Sequence, residues 1–145
     1  MRKLTFLVMI SLFSFLFGSA QASDASGSGE SKEERAVRLK KDRDVLKALA
    51  NAGSDVSKPH EIEFHFVGYD EAKISAVAEE GKKMGYRVSK IDSLADKKGR
   101  KYWYFDLIQS VVPSEKNVFS HSEAMTALGK RHDVEFDGWG CLIVK

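Results

Sequence analysis

The chain has 145 residues, 23 of them Lys or Arg and 21 Asp or Glu, for a formal charge of +2. Arg2 and Lys3 lie in an acid-free stretch of 22 residues, so the remainder of the chain carries equal numbers of basic and acidic side chains. A neutral remainder of this length argues against a strongly basic nucleic-acid-binding protein and leaves room for a single domain. Its core is modest, because four of the nine phenylalanines also fall in the first stretch.

Arg2 and Lys3 form a positive head, Leu4 to Phe17 an almost continuous apolar run, and Ala20-Gln21-Ala22 a small-x-small cleavage pattern. The run falls short of the ~20 apolar residues that span a bilayer. Residues 1–22 therefore read as a signal peptide cut after Ala22, which predicts a periplasmic or secreted protein without stable membrane insertion. The alternative is an uncleaved signal anchoring the domain in the inner membrane. No cysteine follows the run, which argues against a lipid anchor. Residues 23–31, rich in Ser and Gly, predict a flexible lead-in, and 32–145 the folded domain.

Lys32 to Asn51 lacks Gly and Pro and carries Leu39, Val45, Leu46 and Leu49 among dense charge, the pattern of a surface helix ending at Gly53. Its interleaved basic and acidic residues read as a solvated face. Ile62, Phe64 and Phe66 alternate with Glu61, Glu63 and His65 as in a strand with one wet face. Asp70 is placed to cap a helix carrying Ile74, Val77, Ala78 and Met84 up to Gly85. A short strand around Tyr86 and Val88 follows, then the polar turn Asp96-Lys97-Lys98-Gly99.

Lys101 to Val112 is the longest strand expected, with Trp103, Phe105, Leu107 and Val111 on one face and Tyr102, Tyr104, Asp106 and Ile108 on the other. It is stopped by Pro113. Ser120 with Glu123 forms a capping box that predicts a helix over His121 to His132. Val134, Phe136 and Leu142 to Val144 predict the last strand, broken at Gly138 and Gly140. A β-α-β-β-α-β order behind an N-terminal helix predicts an α+β, ferredoxin-like antiparallel sheet whose first and third strands are central.

No pair among His60, His65, His121 and His132 has metal-ligand spacing, and Cys141 has no second cysteine, so neither a metal nor another cofactor is expected. Cys141, His132 and Asp137 supply the residue types of a thiol enzyme without any local signature of one; a buried cysteine on the last strand is the simpler reading. The open face of the sheet is more informative. Glu61, Glu63, His65, Tyr102, Tyr104 and Asp106 project from the central strands away from the helices. Carboxylates there repel a phosphate backbone and suit an Arg- or Lys-bearing protein segment with tyrosine anchors. This assigns Glu61, Glu63, Tyr102, Tyr104 and Asp106 to a protein partner and none to catalysis; a mere cross-strand tyrosine cluster is the alternative. An exported RNA-binding module is a rival function, disfavoured by the neutral charge.

Asp42-Arg43-Asp44-Val45-Leu46, Asn51-Ala52-Gly53-Ser54-Asp55, Ser57-Lys58-Pro59 and above all Phe136-Asp137-Gly138-Trp139-Gly140-Cys141 resemble the regulators of ribonuclease E activity B, the RraB family, from about residue 42 onward. The resemblance implies a non-enzymatic inhibitor with a ferredoxin-like core that binds the noncatalytic scaffold of ribonuclease E and masks a partner's surface. It singles out Asp137, Gly138, Trp139 and Gly140 as signature positions. Two features depart from the family: Phe136 stands where tyrosine is usual, and the family's well-known members are cytoplasmic. On their chemistry the glycines permit a bend, Asp137 can accept from nearby backbone N–H groups, and Trp139 can cover the sheet edge.

Overall fold

A computed structural model describes residues 29–145; the expected signal peptide and most of the lead-in lie outside the described residues. Eight elements follow in order: α1 (Lys32–Asn51), β1 (His60–Gly68), α2 (Glu71–Lys83), β2 (Arg87–Val88), β3 (Asp92–Ala95), β4 (Lys101–Val111), α3 (Glu115–His132) and β5 (Glu135–Cys141). They form an α+β domain with a five-stranded antiparallel sheet. The sheet runs β2-β4-β1-β5, and β3 adds to β4 beyond β2. The central pair is β1 and β4, the two segments with the strongest apolar alternation.

The helix-facing side of these strands makes the core. Ile62, Phe64, Phe66, Phe105 and Leu107 are buried there against Ile74 and Val77 of α2 and Val118, Met125 and Leu128 of α3. Fully burying a Phe or Leu contributes about 1.5–3 kcal/mol, so these side chains carry most of the driving force. The helices are capped from their own sequence. Asp70 accepts from the N–H groups of Ala72 and Lys73 ahead of α2, and Gly53, at φ +80°, takes the left-handed conformation after α1.

Several expectations need correction. The lead-in is not flexible to its end: Ser31 caps α1 in a reciprocal capping box with Glu34, and Glu30 is buried in a bidentate pair with Arg38. Helix α3 starts six residues before the position expected from Ser120, because Ser114, following Pro113, accepts from the Asn117 N–H. His121 is thus mid-helix, its ring stacked on Phe64 with centroids 5.6 Å apart, while His132 does close the helix.

Strand β3 was not expected. It has one large apolar residue, Leu94, and forms because the edge of β4 beyond β2 offers it hydrogen-bonding partners. At the other edge β5 stops at Cys141 rather than running on through Val144. The Val144 backbone turns instead to Ser54 and Asp55: its N–H donates to Ser54 Oγ and its carbonyl accepts from the Asp55 N–H at 2.7 Å. The same Ser54 hydroxyl lies 2.7 Å from Nε2 of the buried His60.

Candidate functional site

Strand alternation places the odd-numbered residues of β1 and the even-numbered residues of β4 on the face without helices. Register puts Glu63 opposite Ile108, His65 opposite Asp106 and Val67 opposite Tyr104. His65 Nδ1 lies 2.6 Å from Asp106 Oδ1, and donor atoms of Glu63, His65 and Asp106 all fall within 4.8 Å of one another. Burial lowers the His65 pKa, but the Asp106 hydrogen bond and the charges of Asp106, Glu63 and Asp137 outweigh it, leaving it raised above 6.5. Asp137 is raised by desolvation, against the pull of His65 and Lys41. Glu61 is exposed on the same face and paired with Arg87 of β2 at 2.6 Å.

Toward the opposite end the face becomes aromatic. The Tyr102 and Tyr104 rings stand 6.2 Å apart and Tyr69 lies 6.2 Å from Tyr102. Tyr104 is 38% exposed, so it is available to a partner without refolding. The five partner-face residues expected from sequence, Glu61, Glu63, Tyr102, Tyr104 and Asp106, therefore share one surface. Sequence reasoning missed its continuation: Val67, Tyr69 and Arg100 extend it into a cavity of about 720 Å³. The alternation read from sequence ended at Phe66; continuing it by two and four residues from His65 would have reached Val67 and Tyr69, but only the β3–β4 hairpin folds Arg100 over the Tyr69 ring, 3.7 Å from its centroid.

The signature residues do something different. Across from β1, Trp139 pairs with Phe64 and Phe136 with Phe66, so Asp137 and Gly138 oppose His65 alone: a β-bulge, with Gly138 at φ +97°. The extra residue restores Trp139 to the helix side. Trp139 does not cover the sheet edge; it is buried beneath α1, its indole N–H donating to Asp42 Oδ1 at 3.0 Å. Gly140 does not break the strand and pairs in register with Glu63. Of the four, Asp137 alone reaches the open face's histidine.

No thiol site is assembled from Cys141, His132 and Asp137. Cys141 faces the core with its thiol pushed up to about 11 by burial, His132 is engaged by Glu80 of α2, and Asp137 lies near His65. Glu63, His65 and Asp106 have the composition of a cation site, which histidine spacing does not show because two of the three donors are carboxylates. As arranged, the imidazole is committed to Asp106. No helix of the described residues is long and apolar enough to cross a membrane.

The profile of the family described as regulator of ribonuclease activity B matches residues 39–141. The chain belongs to the RraB family. Its relatives bearing the name regulator of ribonuclease activity B include one from Pseudoalteromonas atlantica, 29% identical over 115 residues, covering 79% of this chain and 98% of the relative. The relative from Pseudoalteromonas translucida is 36% identical over 100 residues, 67% of this chain and 87% of its own length. That from Photobacterium profundum is 32% identical over 101 residues, 68% and 75% of the two chains. The RraB match begins inside α1 and ends on the last residue of β5, so it takes in both Asp42 and Trp139 and the whole open face.

Proposed function

We propose that this RraB-family domain is a non-enzymatic regulator of ribonuclease activity that acts by holding a protein partner on its open sheet face and masking the partner's surface. The observation that carries the reading is the family match across nearly the whole folded domain. The face supports the mode of action: carboxylates of Glu61, Glu63 and Asp106 suit basic side chains, and Tyr102 and Tyr104 supply amphipathic anchor area. The strand order, with β1 and β4 central and the edge opposite β5 divided into β2 and β3, supports a ferredoxin-like core.

By family resemblance the partner is the noncatalytic scaffold of ribonuclease E. RNA decay by the full-length nuclease should slow when the purified domain is added, and decay by the nuclease lacking its noncatalytic part should not. Equal rates with and without the domain in both assays would remove the reading. The composition of residues 1–22 supports export and cleavage after Ala22, with the uncleaved inner-membrane anchor as the competing location. Fractionation with N-terminal sequencing decides between them. A start at Ser23 in the periplasmic or secreted fraction supports export and requires a partner outside the cytoplasm; an intact Met1 in the membrane fraction overturns cleavage.

A further inference from the structure

The open face changes sign along its length. At one end the carboxylates of Glu63, Asp106 and Asp137 surround His65. At the other, Lys97, Lys98 and Arg100, with the carboxylate of Asp96, line a cavity together with Val67, Tyr69 and Tyr102. The carboxylate of the hairpin turn pairs with Arg100, Asp96 Oδ2 lying 3.5 Å from the Arg100 Nε, and leaves the charges of Lys97 and Lys98 unmatched. Asp96 accepts from the backbone N–H groups of Lys98 and Arg100 and from the Tyr69 hydroxyl, while Lys97 and Lys98 make no ion pair among the described residues. Between the two ends stands Tyr104. From Glu63 to Tyr69 the face is ~20 Å long at the rise of an extended strand.

We propose that this face is a polarised groove for one extended protein segment, which carries basic residues at one end, an apolar or aromatic side chain in the Tyr69–Tyr102 cavity, and acidic residues at the other end. The inference rests on the regulator reading and adds to it the charge order of the partner. Three observations fit a peptide better than a nucleic acid strand. The cavity is lined by aliphatic and aromatic groups, Lys97 and Lys98 stand at one end without an ion pair among the described residues, and at the other end, where Arg87 is already taken by Glu61, the carboxylates of Glu63, Asp106 and Asp137 would repel a strand bearing a phosphate at every residue. Opposite charges at the two ends also fix direction, because a segment entered backwards meets like charge at both.

The test uses the full chain and two labelled ~12-residue peptides of identical composition, long enough to span the face when extended. One has arginines, then two phenylalanines, then aspartates; in the second the charges alternate. The ordered peptide should bind about tenfold more tightly by fluorescence anisotropy, and Lys97→Glu with Lys98→Glu should remove that preference. The same double variant should gain affinity for a third peptide whose acidic end is replaced by arginines. A merely structural role for the two lysines would not produce that exchange. Equal binding of ordered and alternating peptides, no binding of either, or tighter binding of a single-stranded oligouridine overturns the groove. If nuclease slowing survives the lysine reversals while the peptides show no preference, the regulator reading stands and the groove is removed. If the preference is present and nuclease decay is unaffected by the domain, the groove stands and the ribonuclease partner is removed.

Discussion

The Trp139 indole N–H donates to Asp42 Oδ1 at 3.0 Å, joining residues 97 positions apart. The Ser122 hydroxyl donates to the other oxygen of Asp42 and accepts from Arg38, whose guanidinium is also held by Glu30 through two bonds. One buried network thus ties α1 to α3 and β5. Helix α1 buries only Asp42 and Leu49 within its length, so its docking depends on polar geometry as much as on apolar area.

Replacing Trp139 by Phe keeps most of the ring volume and removes the donor. Asp42 Oδ1 is then buried without its partner, and unfolding in urea should show a loss of about 1–3 kcal/mol. Burial raises the Asp42 pKa above 3.8 against the pull of Ser122, Trp139 and Arg38. A raised carboxyl in the native state means stability falls as pH rises from 3.8 through the folded value. Asp42→Asn should flatten that part of the stability–pH curve.

Two glycines should respond differently to alanine. A Cβ on Gly129 would lie 2.5 Å from the Val134 carbonyl oxygen, which is backbone and cannot step aside, so Gly129→Ala should cost about 1–3 kcal/mol by overpacking. At Gly138 a Cβ meets nothing within 4 Å, and only the positive φ resists it. Gly138→Ala should cost about 1–2 kcal/mol, and Gly138→Asn less, since Asn tolerates the left-handed region. Thermal melts of the three variants make the comparison.

His65 should titrate above 6.5 by NMR, and Asp106→Asn should lower its pKa by removing the anionic hydrogen-bond partner. The sign for stability follows from the raised value. The contribution is fully present below pH 6.5 and is lost as pH rises through the folded pKa. Over the same window the acidic end of the face loses its imidazolium and becomes more negative, so binding of a basic segment should strengthen while the domain's stability declines.

Cys141 should resist alkylation in the folded domain at pH 8 and react rapidly in urea. The residue is 4% exposed and its thiol is pushed up to about 11, so almost no thiolate is present to attack. Cys141→Ser should leave any regulatory effect on a nuclease unchanged, apart from a stability loss measured separately.

Tyr102→Ala with Tyr104→Ala removes anchor area from the open face without opening the core, which lies on the other side of β4. Far-UV circular dichroism should be unchanged, and partner affinity should drop by at least about tenfold if the rings act as hot-spot anchors. Retained affinity would reduce them to a solvated cross-strand cluster.

The central strands were legible because Ile62-Phe64-Phe66 and Phe105-Leu107 repeat at period 2 with polar residues between, a pattern that only a half-buried strand satisfies. The face bearing Glu61, Glu63, Tyr102, Tyr104 and Asp106 followed from the same alternation. The start of α3 was not legible, since Ser114 and Ser120 are both plausible caps and only the burial of Val118 on the face shared with Met125 distinguishes them. Strand β3 was invisible for a related reason: an edge strand is recruited by the partner it pairs with, and Asp92-Ser93-Leu94-Ala95 has no pattern of its own.

Local sequence determined the elements whose stability is local: the cap at Asp70, the turn at Asp96 to Gly99, the alternation of β1 and β4, and the motif residues by which the family is known. The tertiary structure decided what those residues meet. Trp139 turned inward because the bulge at Gly138 adds one residue and shifts the strand by half a period. His65 and Asp106 became one pair because antiparallel register set them opposite each other across 41 positions of sequence. The cations of the hairpin turn became one end of the acidic face's own groove for the same reason: charge order along a surface is a property of strand pairing, which no single segment contains.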